Sequence, residues 1–169
     1  MANNFCWDFG FDWNAVVTNN QAYLQNGFVN LSGGALPGTA VDLQPNDTVS
    51  FYLYNVTSGA TPTSPYTVTG GTITFVAADQ GQTQTTPFAE ASISIGNIGM
   101  AQGSGSSSIF SGDDSSITFP NWGLAGPLAV VSQANPGDYM MTVTLNISNN
   151  GGTPVSFVVD PEMVVGAFG

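Results

Sequence analysis

Residues 138–159 read DYMMTVTLNISNNGGTPVSFVV, and this stretch decides the fold. Apolar and polar residues alternate over Tyr139–Ile147, and the alternation resumes over Val155–Val159 after the turn Asn149–Gly152. A period of two is typical of a β-strand that buries one face. Asn and Gly readily adopt the positive φ angles that tight hairpin turns require. The stretch therefore predicts an antiparallel β-hairpin.

The same period recurs along the rest of the chain, and no window of about ten residues shows the apolar spacing of an amphipathic helix. The candidate strands are Phe5–Trp13, Tyr23–Leu31, Thr39–Leu43, Thr48–Thr57, Tyr66–Ala77, Phe88–Ile95, Ser116–Phe119, Leu128–Ser132, Asp138–Ser148 and Thr153–Val165. Turn signals lie at Leu36–Gly38, Pro45–Asp47, Gly70–Gly71 and Asn135–Asp138. The pattern predicts an all-β chain.

Short strands separated by frequent turns are typical of β-sandwiches. We expect a single domain over residues 1–169, a two-sheet antiparallel sandwich of immunoglobulin-like or jelly-roll type with roughly eight to ten strands. The Gly/Ser-rich segment Gly99–Ser116 has no clear period and is predicted to be a mobile surface loop. Pro161, which follows Asp160 in the last candidate strand, cannot donate to a ladder and predicts an edge or a bulge there.

Residues 41–51 read VDLQPNDTVSF. This segment resembles the strand-turn-strand entry of cupredoxins and of many immunoglobulin-like sandwiches. The resemblance implies the sandwich topology alone, because a blue-copper site needs histidine ligands and the chain has none.

The composition excludes several classes of function. The chain has no Lys, Arg or His, and its eleven Asp and Glu residues give a formal net charge of −11 at pH 7. Such a chain repels phosphate backbones and anionic lipid surfaces, so we expect no nucleic-acid partner and no membrane insertion. Nucleophilic catalysis that relies on a His or Lys base, and zinc sites of the usual His/Cys type, are excluded as well.

Two kinds of carboxylate chemistry remain. A glycosidase needs only a pair of acids, and the candidates are Asp8, Asp12, Glu90 and Glu162. Asp8 and Asp12 share one face of the first candidate strand, but about 13 Å of extended chain separates them, so we expect no enzyme. Calcium takes oxygen ligands alone, and Asp113 and Asp114 in the predicted loop are the candidate ligands. We expect no other cofactor.

The first candidate strand carries the strongest local pattern. One face presents five aromatic rings, and the other presents Cys6, Asp8, Gly10 and Asp12; the rings are Phe5, Trp7, Phe9, Phe11 and Trp13. Three interpretations stay open: a strand that faces the core, a platform for sugars that also uses Trp122, or an exchangeable strand that docks into a neighbouring subunit. Cys6 is then either an inert buried thiol or a link between subunits.

These features together favour a non-enzymatic protein that associates with itself. We expect a subunit of an extracellular filament, sheath or crystalline inclusion; the alternative is a carbohydrate-binding or adhesive module. The opening residues MANNFCWDFGFDW contain neither a basic region nor a long apolar run, so they predict no export signal. We expect an extracellular or cell-surface location, and a cytoplasmic inclusion is the alternative.

Overall fold

A computed structural model describes residues 2–15, 21–31, 42–61, 65–78, 86–131 and 137–165. These residues form two packed β-sheets, which confirms the predicted all-β sandwich. The strands are β1 (Asn4–Phe11), β2 (Gln21–Tyr23), β3 (Gln25–Asn30), β4 (Asp42–Leu43), β5 (Thr48–Asn55), β6 (Tyr66–Ala77), β7 (Ser92–Ile95), β8 (Gly99–Met100), β9 (Gly103–Gly105), β10 (Phe119–Ala129), β11 (Gly137–Asn149), β12 (Val155–Val159) and β13 (Glu162–Val165). The helices are a 3₁₀ turn (Trp13–Ala15) and α1 (Ser108–Ser111).

Five strands form sheet A, in the order β3-β1-β5-β10-β9. Sheet B contains the other eight strands, and its centre is β11 paired with β6. Strands β12 and β13 follow one another along the opposite side of β11, where β2 and β4 extend the sheet. Pairing is antiparallel except between β1 and β5, β2 and β12, and β4 and β13.

Strand β1 lies inside sheet A and not at its edge. Its residues Phe5–Gly10 pair with the antiparallel β3, and Asn4–Phe11 pair with the parallel β5 on the other side. The chain therefore uses both backbone edges of β1 internally. Exchange of a strand at residues 5–13 with a neighbouring copy stays a prediction, and it would first have to break both ladders. The strand also ends earlier than expected, because Trp13 belongs to the 3₁₀ turn.

The predicted C-terminal hairpin is confirmed. Val143–Ile147 of β11 pair with Val155–Val159 of β12, and the turn contains Asn150 and Gly151 at φ angles of 52° and 70°. The last candidate strand is interrupted at Asp160–Pro161, which separates β12 from β13. The carbonyl of Pro161 still accepts a hydrogen bond from the Met141 amide at 3.0 Å, so proline breaks the ladder only locally.

Several predicted boundaries differ from the structure because the local pattern does not show which sheet a strand joins. The candidate strand Tyr23–Leu31 is divided between the two sheets, and the chain crosses from β2 to β3 at the buried residue Leu24. The candidates Ser116–Phe119 and Leu128–Ser132 are replaced by the long β10, whose Gly- and Pro-rich middle hides its strand character. Its register shifts twice between Gly123 and Leu128.

Two further expectations need correction. The segment Gly99–Ser116 is not a structureless loop, since it contains β8, β9 and α1. Gly70–Gly71 is not a turn between strands but lies within β6, beside a register shift in its pairing with β11. Glycine is required there because a Cβ at Gly71 would lie 2.3 Å from the carbonyl oxygen of Thr144.

The core lies between the two sheets. Rings cross the interface, with 5.4 Å between the centroids of Phe11 and Phe157 and 6.3 Å between those of Phe51 and Phe75. Each buried side chain of this size contributes about 1.5–3 kcal/mol. The largest fully buried side chains are Trp122, Tyr139, Phe9, Phe11, Phe51, Phe157, Leu43, Leu53, Ile73, Met141, Leu145 and Ile147.

Replacement of Gly71 tests the close approach of β6 and β11. In Gly71→Ala, the new Cβ meets backbone that cannot yield locally, so we expect the free energy of unfolding to fall by about 1–3 kcal/mol. Gly96→Ala is the matched control, since a Cβ there has no neighbour within 4 Å; we expect a change below about 0.5 kcal/mol. Urea denaturation followed by tryptophan fluorescence measures both. Equal stabilities of the two variants would contradict the close approach of β6 and β11 at Gly71.

Candidate functional site

The aromatic face of β1 lines the core. Its four rings within the strand, Phe5, Trp7, Phe9 and Phe11, are all buried. Trp7 meets Phe28 of β3 edge to face, with 4.8 Å between the ring centroids. In the folded chain these rings are therefore core residues. A sugar or a neighbouring chain reaches them only if the sandwich opens.

The three tryptophans, all of which the structure describes, differ in access. Trp7 is buried, and its Nε1 donates to Oδ1 of Asn26 at 3.3 Å. Trp122 is 1% exposed, and its Nε1 donates to the carbonyl of Gly99 at 3.0 Å. Burial removes both from the candidate stacking residues. Trp13 is half-buried and keeps part of its ring accessible.

Trp13 lies at one end of the sandwich, near a shallow pocket of about 290 Å³. Its ring packs against Tyr66 with 5.4 Å between centroids, and its backbone amide donates to Oγ1 of Thr57 at 2.8 Å. The pocket is lined by Thr57, Ser58, Gly59, Ala60, Thr61, Pro65 and Tyr66. Aromatic rings beside hydroxyl groups form the combination that a sugar ligand uses.

The acids considered for glycosidase chemistry lie on separate elements. Asp12 follows the end of β1, and its Oδ1 accepts a hydrogen bond from the Asn14 amide at 2.9 Å, so it does not share a strand face with Asp8. Glu90 is exposed on the rim of a mostly apolar groove of about 340 Å³. The side chain of Glu162 lies outside the described residues. The absence of enzymatic activity stays a prediction.

The proposed calcium ligands lie in an exposed turn. Asp113 and Asp114 are both exposed, and Oδ1 of Asp114 accepts hydrogen bonds from the amide and the hydroxyl of Ser116 at 3.0 and 2.5 Å. These bonds hold the pKa of Asp114 below its usual value. Among the described residues, no group of three His, Cys, Asp or Glu side chains is placed to hold a metal ion. Calcium binding at this turn stays a prediction.

Asp8 occupies a different environment from the one its alternating pattern predicts. It lies on the outer face of sheet A, yet it is 3% exposed. Its Oδ2 accepts a hydrogen bond from the hydroxyl of Ser107, whereas its Oδ1 has no partner among the described residues. Burial raises the pKa of the Asp8 carboxyl, and the Ser107 hydrogen bond opposes this shift.

Cys6 lies two residues from Asp8 on the same face of β1 and is also buried. Burial raises the pKa of its thiol to about 11, and the nearby Asp8 charge adds to the effect. A thiol of this kind is almost entirely protonated near neutral pH and is a poor nucleophile. Burial of Cys6 thus favours the inert thiol, and a link between copies through Cys6 stays a prediction.

The outer face of sheet B carries a regular array of hydroxyl groups, which we call the hydroxyl face. It is formed by six half-buried or exposed residues on β7, β6 and β11: Ser92, Ser94, Thr72, Thr74, Thr142 and Thr144. In the pairing register they form two rows across the strands, Ser92-Thr74-Thr142 and Ser94-Thr72-Thr144. The hydroxyls repeat at roughly 4.8 Å across strands and roughly 6.7 Å along them.

Exposed apolar side chains border the hydroxyl face. Val76 and Met140 are cross-strand partners and are 58% and 52% exposed. On the other side, Val158 continues the second row, and its neighbour Tyr23 is 75% exposed. The two rows contain no carboxylate; Asp138 lies beyond Met140 at the start of β11, and Glu162 of β13 is the cross-strand partner of Met140. Sequence reasoning missed this face because its residues come from three strands far apart in the chain.

Comparisons with known proteins assign the chain to no family. No family model matches it, and no curated protein matches it. Within the described part of the chain, no helix has the length and apolar character needed to traverse a lipid bilayer.

Replacement of Asp8 tests the effect of its burial on stability. Because the folded state raises its pKa, the stability from this group is present below the unfolded value of about 3.9 and is lost as pH rises through the folded value. We expect Asp8→Asn to have a higher free energy of unfolding than wild type at pH 7, by about 1.4 kcal/mol for each unit of elevation, and the same free energy near pH 3.

Urea titrations across this pH range measure the difference. Asp113→Asn is the control, since it removes one carboxylate from an exposed position. A pH-independent gain, or an equal gain in the control, would contradict the assignment.

Proposed function

We propose that this protein is a non-enzymatic structural subunit whose copies associate through the hydroxyl face of sheet B. The observation that carries the proposal is the position of the six Ser and Thr side chains, in two uncharged rows on an exposed sheet face. Next to these rows, Tyr23, Val76 and Met140 expose apolar surface that gains free energy when it is buried.

The charge of the chain restricts which of its surfaces can meet a copy of itself. Every charged side chain is a carboxylate, so a charged face repels the same face of another copy. Hydroxyl groups both donate and accept hydrogen bonds, which makes a hydroxyl face self-complementary. Symmetric contacts of this kind are the commonest in homo-oligomers. Ser and Thr also lose little side-chain entropy when they become fixed in a contact.

Association through strand edges is less favourable than association through this face. The described edge strands, β3 and β9 in sheet A and β2, β4, β7 and β8 in sheet B, contain two to six residues each. Short edges offer few backbone hydrogen bonds to another chain. The strand with the longest aromatic pattern, β1, is paired on both sides. Face-to-face packing is therefore the mode that we propose.

The carboxylates would regulate this association. The net charge becomes less negative, from −11 toward zero, as pH falls through about 4, and the electrostatic repulsion between copies weakens. We expect the protein to form larger particles or ordered lattices at pH 4, or in millimolar calcium, than at pH 7 without calcium. Negative-stain electron microscopy and sedimentation velocity measure this. A protein that stays monomeric in all these conditions would overturn the proposal.

A matched pair of variants locates the contact. Thr72→Lys places a long charged side chain in the middle of the hydroxyl face, whereas Ser58→Lys places the same charge in an exposed turn. Burial of an unpaired ammonium group is costly, so we expect at least a tenfold weaker association at pH 4 for Thr72→Lys alone. An equal loss in both variants would show that charge, and not this face, controls assembly.

A self-associating subunit of this kind fits an extracellular or cell-surface filament or sheath, or a crystalline inclusion. Tryptic proteases cleave after Lys or Arg, and the chain contains neither. This composition suits a protein exposed to such enzymes. A cytoplasmic inclusion is the alternative, and the same association is compatible with either location.

Carbohydrate binding is a second candidate function, and the pocket beside Trp13 and Tyr66 favours it. We expect a bound sugar to change the emission of Trp13, the tryptophan with an accessible ring. Titration of soluble oligosaccharides measures the change, and Trp13→Phe should abolish it. The absence of any response in wild type, with particles still assembling at pH 4, would leave the structural function alone.

A further inference from the structure

Helix α1 covers the outer face of sheet A, and two glycines make room for it. A Cβ at Gly27 of β3 would lie 2.4 Å from Cδ1 of Ile109, and a Cβ at Gly10 of β1 would lie 2.8 Å from the ring of Phe110. The Phe110 ring also packs near Tyr54 of β5, with 5.8 Å between centroids. The helix thus lies directly on the backbone of the sheet.

Asp8 lies beneath the start of this helix. Ser107, the residue that precedes α1, does not cap the helix with its side chain; its hydroxyl donates to Asp8 instead. The carbonyl of Ser107 accepts hydrogen bonds from the amides of Phe110 and Ser111 at 3.0 and 2.8 Å. The contact with Asp8 therefore joins β1 directly to the residue on which the helical turn is built.

The surroundings of Asp8 offer no positive charge. Its titratable neighbours are Cys6 on β1 and Tyr52 and Tyr54 on β5, and each of these can only become an anion. The neighbouring β3 and α1 contain no titratable side chain, and no Lys, Arg or His exists anywhere in the chain. An ionised Asp8 would be a buried charge with one hydroxyl partner, and such a charge is unfavourable.

We propose that Asp8 is a pH-dependent latch for α1: its neutral carboxyl holds the helix on sheet A through Ser107, and its ionisation releases the helix and uncovers the outer face of the sheet. This inference is independent of the proposed self-association, which uses sheet B. It adds a conformational change that follows the charge of a single side chain.

The direction of the effect follows from the two states of the helix. When α1 is open, water solvates Asp8, and its pKa returns toward about 3.9. When α1 is closed, burial holds the pKa higher. The open fraction therefore rises by up to tenfold for each pH unit above about 3.9, and it levels off above the closed-state value.

Hydrogen-deuterium exchange of the intact protein tests the latch. Peptides that span Ser107–Ser111 report opening of α1, and the same peptides in the urea-unfolded chain at each pH give the intrinsic rate, which cancels the direct effect of pH on exchange. We expect the ratio of the exchange rate in the folded protein to this intrinsic rate to be lowest near pH 4 and to rise at least tenfold by pH 8 in wild type. Peptides from Met141–Ile147 in the core should exchange more slowly than α1 at every pH, because they open only when the whole sandwich unfolds. In Asp8→Asn the ratio should stay constant, and in Asp113→Asn it should rise as in wild type.

Ser107→Ala tests the same contact from the side of the helix and does not depend on the folding of Asp8→Asn. Ser107→Ala removes the one hydrogen bond that the Asp8 carboxylate accepts, so the closed state tolerates ionisation less well. We expect faster exchange of Phe110 and Ser111 in this variant than in wild type at pH 4, because the contact with the neutral carboxyl is lost, and a larger, several-fold excess at pH 7, because the ionised carboxyl loses its hydroxyl donor. A ratio that does not change with pH in wild type, or a pH dependence that persists in Asp8→Asn, would overturn the latch.

Discussion

No side chain of this protein carries a positive charge, and the rest of the structure is arranged around that constraint. In other proteins, ion pairs with Lys or Arg commonly neutralise carboxylates. In this protein, the side chains and backbone groups that can bind a carboxylate are neutral hydrogen-bond donors. Asp12 accepts from the backbone amide of Asn14, and Asp114 accepts from the amide and hydroxyl of Ser116. These local turns solvate the two charges with backbone amides and a hydroxyl group.

Two buried acids show how much the number of donors matters. Asp47 is 1% exposed, and its two oxygens accept hydrogen bonds from the amides of Asn3 and Gln44 at 2.7 and 2.9 Å. It joins the start of the chain to the turn before β5 and is a structural residue. Asp8 is buried to a similar degree, but it receives one hydroxyl and leaves one oxygen without a partner. Asp47 therefore connects two segments of the fold through its hydrogen bonds, whereas ionisation of Asp8 destabilises the fold.

The same constraint applies to the surface. Because all charges have one sign, they cannot form complementary patches between identical copies. The contacts that we propose between copies would therefore use hydroxyl and apolar groups, and the structure brings six Ser and Thr side chains together beside Tyr23, Val76 and Met140. Sheet A has no comparable open face in its centre, since α1 lies on Gly10 and Gly27 there. The two sheets thus offer different surfaces: sheet B presents the open hydroxyl face, and sheet A is covered by a helix over a buried acid.

The sequence by itself determined the all-β class and the C-terminal hairpin. The alternation over Tyr139–Ile147 and the Asn-Gly turn are local patterns, and each acts on the backbone within a few residues. It also determined the lack of cationic chemistry. Only the tertiary structure decided that β1 is an inner strand, that Trp122 is buried and that Asp8 lies under α1. These features depend on which distant segment covers each face, and a period of two shows that a strand has two faces without showing what covers them.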